Sequence, residues 1–144
     1  DSFVVPAFAR QIAAIEEGRL AELSHGDLMS YRDFTDVRDV TRAYRLVMES
    51  DTLPQSINVC SGRCVQIQWI LDSLVSLSHC KIKTVEDVSR KRPEKRTPIK
   101  GSYTKLHTLT GWEPQIEFEQ TISDVLEDQR EQIKHESNSV ETTP

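Results

Sequence analysis

Long apolar runs are missing from this 144-residue sequence. Arg, Gln or Asp interrupts every candidate stretch before the about 18 residues that a membrane helix requires, so no membrane span is expected. A secretory leader is not expected either: Asp1 opens the sequence, and Arg10 breaks the first apolar segment ahead of any small-residue cleavage site. The default setting is cytoplasmic. Glycine is sparse, and its five copies at 18, 26, 62, 101 and 111 stand too far apart for a dinucleotide fingerprint or a P-loop. Cysteine is sparser still. Cys60, Cys64 and Cys80 form an odd set without zinc spacing or a disulfide framework, which predicts reduced, mostly buried thiols. His25, His79, His107 and His135 are scattered without metal spacing and are read as structural or solvated. Basic charge is also short: 18 Lys and Arg against 23 Asp and Glu leave a formal −5, which excludes a wholly basic nucleic-acid binder.

What is present suits one soluble globular domain, with 37% hydrophobic and 28% charged residues. Phe3, Val5, Phe8, Ile12 and Ile15 recur at helical spacing and Gly18 supplies a stop, so residues 5–17 are predicted as an amphipathic helix. Short strands are predicted at 20–24 and 30–34. A second helix starts after the N-cap Asp36, with Val37, Val40, Ala43, Tyr44, Val47 and Met48 on its apolar face. Residues 56–60 read as a short buried strand, and the apolar residues from Val65 to Leu77 as a third helix. A strand at 81–85, an ordered loop over 86–101, a short helix at 103–109 stopped by Gly111, and a last helix from Phe118 to Ile133 complete the order. Alternating strands and helices of this kind mark α/β architecture. After Lys134 little remains to bury, so residues 135–144 are expected to form a disordered tail behind a folded portion spanning 1–134.

Charge is uneven along the chain. Residues 81–105 carry nine Lys and Arg against three acids, a local +6, while residues 113–144 carry nine acids against two bases, a local −7. An acidic chain with one cationic loop suggests a localised anion site. Arg32, where a strand end leads into the Asp36 helix start, and Arg92, in Arg90-Lys91-Arg92-Pro93-Glu94, are the candidate contacts. A guanidinium presents a planar donor fork to two phosphate oxygens and keeps its charge at any working pH. Glu94 is placed to accept from sugar hydroxyls. The same residues also admit an ion pair for Arg32 and a solvated charge run over 90–96. Aromatic residues do not interleave with the basic ones, which argues against nucleic acid as the partner. Gly111-Trp112-Glu113-Pro114 reads as a packed corner between helices, and Trp69 as core or interface.

Five ordered segments together carry a resemblance: 1–18, GDLMSYRDFTDVRDVTRAY at 26–44, INVCSG at 57–62, RKRPEK at 90–95, and GSYTKLHTLTGWEP at 101–114. They resemble the C-terminal, substrate-binding half of extended short-chain dehydrogenases acting on nucleotide sugars, within the NAD-dependent epimerase/dehydratase family. The likeness covers residues 1 to about 130 and is strongest to the GDP-mannose 4,6-dehydratase and GDP-4-keto-6-deoxy-mannose reductase group. The resemblance implies an extended Rossmann-type fold whose NAD- or NADP-binding half is not in this sequence, a GDP-sugar substrate, and a homo-oligomer at full length. By motif, Arg32 matches the family's phosphate-contacting Arg in R-D-[FWY], and Arg92 with Glu94 matches R-P-[DE] near the diphosphate and ribose. Val5 and Phe8 fall in the helix lying along the nucleotide.

Two departures from the family pattern stand out. Gly26-Asp27-Leu28 replaces Gly-Asn-Leu, putting a carboxylate near a polyanion. Gly101-Ser102 replaces Gly-Asp, although Ser102 can cap a helix too. The family's Tyr-x-x-x-Lys acid–base pair is absent, since Tyr31, Tyr44 and Tyr103 are followed four residues later by Thr35, Met48 and His107. A fragment of an enzyme, inactive alone, is therefore expected; the alternative is a non-catalytic nucleotide-sugar-binding or interaction protein derived from the family. The resemblance further implies that the 57–60 strand and the Asp36 helix pack on the Rossmann sheet, which would leave Val37, Val40, Tyr44, Val47, Ile57 and Val59 uncovered here.

Overall fold

Helical spacing of apolar residues builds α1 (Val4–Glu16), whose Val5, Phe8, Ala9, Ile12 and Ala13 make a buried face. Pro6 sits in the first turn, where its missing N–H has no helical partner to lose. The helix ends in a left-handed Gly18 at φ 69°, with Gly18 N–H donating to Ile15 O (2.9 Å) and Arg19 N–H to Ala14 O (2.8 Å). The computed structural model describes residues 3–52, 54–90 and 98–140. Its further elements are β1 (Leu23–His25), β2 (Tyr31–Asp33), α2 (Val37–Met48), β3 (Cys64–Gln66), α3 (Ile67–Ser76), β4 (Thr84–Glu86), a 3-10 turn (Val88–Arg90), α4 (Thr104–Thr110) and α5 (Phe118–Val140). The class is α/β, as expected, and the chain divides into two compact units.

The first unit comprises, among the described residues, 3–29, 67–90 and 122–140. β1 pairs with β4 in parallel, Leu23 facing Thr84 and His25 facing Glu86. The side-chain amide of Gln11 exchanges two bonds with the Ser24 backbone (2.9 and 3.2 Å), as a neighbouring strand would. Ile12, Leu23, Ile70, Leu74, Ile122 and Leu126 are its fully buried core. Glu16 and Arg130 form a bidentate pair at 2.8 Å with only 9% and 10% of their side chains exposed, and the guanidinium also reaches Leu77 O (3.0 Å). Ser78 Oγ (3.0 Å) and His79 N–H (2.9 Å) complete the carboxylate. That pair ties α1 and α5 to the end of α3.

The second unit comprises 30–52, 54–66 and 98–121 among the described residues. β2 and β3 are antiparallel, with Arg32 opposite Val65. Trp112, Ala43 and Leu106 form the core, and Leu46, Val47, Ile57, Val59 and Tyr103 pack around them. Trp112 Nε1 donates to Asp39 O (3.0 Å), Tyr103 meets the indole edge-on at 5.6 Å, and Arg42 lies over it. The Gly-Trp corner expected at 111–112 is therefore a packing centre, with Gly111 closing α4 at φ 72°.

Several expectations need correction. Residues 56–60 are not a strand; Ile57 and Val59 alternate because they pack on the Trp112 cluster, and the ladder forms at Cys64–Gln66 instead. Strands β1 and β4 begin three residues later than predicted. The expected disordered tail from 135 is helical through Val140, where Glu136 pairs with Arg10 (2.7 Å) and Arg19 holds Ile133 O (2.6 Å). The thiols are less buried than expected: Cys60 and Cys64 are half-buried and Cys80 is exposed. Trp69 is 38% exposed and so is not core. Of the α2 apolar face, Val47 is covered within the chain, whereas Val37, Tyr44 and Met48 are 70%, 60% and 84% exposed.

Candidate functional site

Arg32 is the middle residue of β2, a position legible from the strand-to-helix pattern that follows it. Its side chain is half-buried and folds back along its own strand, Nη1 donating to Tyr31 O at 2.8 Å. The next residue was not singled out by sequence, yet both oxygens of its carboxylate are bonded to remote segments. Asp33 Oδ1 accepts from the N–H (3.0 Å) and hydroxyl of Ser61, while Oδ2 accepts from Gly62 N–H and Gly101 N–H, both at 3.0 Å. Gly101 approaches so closely that a Cβ there would lie 2.5 Å from Cys60 Sγ and 2.8 Å from its Cβ. Glycine at 101 is required by contact. Just beyond, Ser102 Oγ accepts from Thr104 N–H at 3.4 Å, a partial substitute for an acidic cap.

Two further carboxylates hold the helix that follows. Asp36 caps α2, taking Arg38 N–H (2.8 Å), the Arg38 guanidinium fork and Thr121 Oγ1 (2.7 Å). The Arg38 fork holds the Asp36 carboxyl far below the usual range. Asp39, 1% exposed, accepts from Gln115 and Ile116 N–H (both 3.0 Å) and Arg42 Nη2 (2.6 Å). Burial pushes its carboxyl up, and the Ile116 N–H, Arg42 and the Gln115 N–H together outweigh burial and lower it. Sequence reasoning missed Asp33 and Asp39. The available signal was two acids at strand-end and first-turn positions, where carboxylates satisfy backbone N–H groups.

Of the other predicted site residues, Arg92 and Glu94 lie outside the described residues. Val5 and Phe8 are each 6% exposed in the core of the first unit, so a ligand would touch only a margin of either. Asp27 closes its own turn by accepting Met29 N–H at 3.0 Å. Burial, then the nearby Asp33 charge, raise the Cys60 thiol, which keeps it protonated at neutral pH and unsuited as a nucleophile. No His, Cys, Asp or Glu cluster among the described residues could hold a metal ion. Among the described residues no glycine-rich turn of the dinucleotide-binding kind stands between a strand and a helix. Gly18 and Gly111 terminate helices, Gly62 and Gly101 are packed against Tyr103 and Cys60, and the β3-to-α3 junction at Gln66-Ile67 has no glycine. No helix among the described residues is long and apolar enough to cross a membrane. The arrangement can offer a fixed guanidinium to an anion; it holds no acid–base pair of the Tyr-x-x-x-Lys kind.

A family model described as GDP-mannose 4,6 dehydratase matches residues 1–125. The chain is 34% identical over 137 residues to the GDP-6-deoxy-D-mannose reductase of Pseudomonas aeruginosa, covering 94% of this chain and 45% of that protein. A solved structure of RMD from Pseudomonas aeruginosa complexed with NADPH superposes with a TM-score of 0.83 at 34% identity, covering 92% of this chain and 44% of that one. The UDP-glucose 4-epimerase of Thermotoga maritima with UDP-glucose gives a TM-score of 0.77 at 25% identity, covering 92% and 40%. The chain thus spans under half the length of each of these proteins.

Proposed function

Because the chain belongs to the GDP-mannose 4,6 dehydratase family, we propose that it supplies the substrate-binding portion of a GDP-sugar-modifying enzyme, a dehydratase or a reductase. Arg32 contacts the diphosphate; Arg92 joins it from the cationic loop, and Glu94 takes the ribose hydroxyls. Val5 and Phe8 back the helix along the nucleotide. The observation that carries this reading is the placement of Arg32: a family-motif guanidinium, half-buried on a strand whose next residue is fixed by four hydrogen bonds. The cofactor, NADP or NAD, supplies hydride chemistry and belongs to residues outside this sequence. The proposed setting is a cytoplasmic homo-oligomer.

The chain's own work is binding and orientation. A doubly charged diphosphate between two guanidinium forks is gripped through bidentate, charge-assisted bonds that also fix the direction of the attached sugar. In a protein carrying these segments, Arg32→Ala and Arg92→Ala should each weaken GDP-mannose binding by about 1.5–3 kcal/mol, the scale of hydrogen bonds to charged groups. Calorimetric affinities equal to wild type for both variants would overturn the clamp. The 144-residue chain by itself should turn over no GDP-sugar, since it has no Tyr-x-x-x-Lys. NADPH-linked turnover by the pure chain would show that the acid and base lie within these residues.

A further inference from the structure

Successive side chains of a strand leave on opposite faces, so Arg32 and Asp33 project to opposite sides of β2. An ionised carboxylate has about four acceptor positions, and on Asp33 all four are taken by donors from two remote segments: Ser61 N–H and Oγ, Gly62 N–H and Gly101 N–H. Ser61 Oγ in turn accepts Arg63 N–H at 3.1 Å, closing the 61–63 loop on itself. Across the ladder Cys64, the register partner of Asp33, points its Sγ at Ile99 O at 3.3 Å. Residues 99–101 are thereby attached to both strands. The Arg32 guanidinium is bonded to Tyr31 O of the same strand, whose backbone Asp33 helps to fix.

We infer that Asp33 is a positioning residue for diphosphate recognition, acting through Arg32. It holds β2 and the two segments beside it in one geometry, so that the guanidinium meets its anion without reorganising. The inference rests on the reading of Arg32 as a diphosphate contact. Asn is no substitute, although it has the same shape: its amide NH2 would face N–H donors where an oxygen now stands. Simple electrostatics makes the opposite prediction, because removing a carboxylate beside an anion site should tighten anion binding.

The test is calorimetric titration of GDP into the full chain as wild type, Arg32→Ala, Asp33→Asn, Ser61→Ala, Asp39→Asn, and each of Asp33→Asn and Ser61→Ala combined with Arg32→Ala. Asp33→Asn should raise Kd about tenfold and Ser61→Ala about threefold, in line with loss of hydrogen bonds to a charged group. Neither should add to the loss already caused by Arg32→Ala, because both act through that side chain. Asp39→Asn, which removes stability from the same unit, should leave Kd unchanged. If Arg32→Ala weakens GDP while Asp33→Asn is neutral or tightens it, or if the two losses multiply, the positioning role is overturned and the Arg32 contact stands. If Arg32→Ala has no effect, both fall. Should Asp33→Asn fail to fold, Ser61→Ala decides: a loss confined to the Arg32 background supports the inference, and an equal loss in both backgrounds overturns it.

Discussion

Glu16 has a direct bearing on acid stability. Its pKa drops from the ordinary 4.5 to about 2, first through the Arg130 hydrogen bonds, against the opposing effect of burial. A depressed carboxyl adds stability that is complete above its unfolded pKa and is lost as pH falls toward the folded one. The window is therefore roughly pH 5 down to 2, and the contribution about 3 kcal/mol. Glu16→Gln should lower stability by that order at pH 7, and its urea midpoint should decline less than wild type between pH 5 and 2. Parallel pH curves for the two proteins would refute the assignment. Asp36 and Asp39, also lowered, act with the same sign in both. At Gly101 the constraint is steric. Gly101→Ala drives a methyl into Cys60 and should cost about 1–3 kcal/mol, as overpacking does. Adding Cys60→Ala should restore only part of this, because the Cys60 Cβ would still sit 2.8 Å away; full recovery of the thermal midpoint would show that Sγ alone sets the constraint.

Among the elements, α2 combines a well-made start with an uncovered stripe. Val37, Tyr44 and Met48 lie at spacings of seven and four, on one side of the helix, and expose most of their surface. The chain should therefore enhance the fluorescence of a hydrophobic dye, and the triple change Val37→Lys, Tyr44→Lys, Met48→Lys should remove most of that signal while leaving helix content intact. An unchanged signal would assign dye binding elsewhere. Helices were the legible part of this sequence: α1, α2 and α4 carry periodic apolar faces bounded by Asp36, Gly18 or Gly111, and local chemistry of that sort is written in neighbouring residues. Strands were legible only roughly. A three-residue ladder such as β3 is defined by its partner, and Cys64-Val65-Gln66 has no alternation to betray it. The last turns of α5 were hidden for a related reason, since Glu136 is held by Arg10, at the other end of the sequence. In the site, Arg32 was visible as a motif residue. Asp33 stands in the same motif, but its role was not legible, because its partners, the Ser61 hydroxyl and three backbone N–H groups, are 28 to 68 residues away.

At the scale of the whole molecule, the chain visits the first unit three times and the second twice. Glu16 meets Arg130, and Arg10 meets Glu136, across separations of 114 and 126 residues. Each visit to the second unit interposes a long excursion between parts of the first that must touch. The β2–β3 ladder changes the cost of the earlier one. By pairing Tyr31 with Gln66 it pinches the excursion shut at its base, and Gln68 N–H then donates to Leu28 O at 2.9 Å directly beyond the pinch. Loop-closure entropy rises with the length of free chain that must be closed, so this ladder, once formed, hands the first unit a short link in place of a long one. Such a clasp makes the order of assembly a property of the topology: the strand that carries Arg32 is also the stitch without which α1 and α3 would have to find each other across open chain.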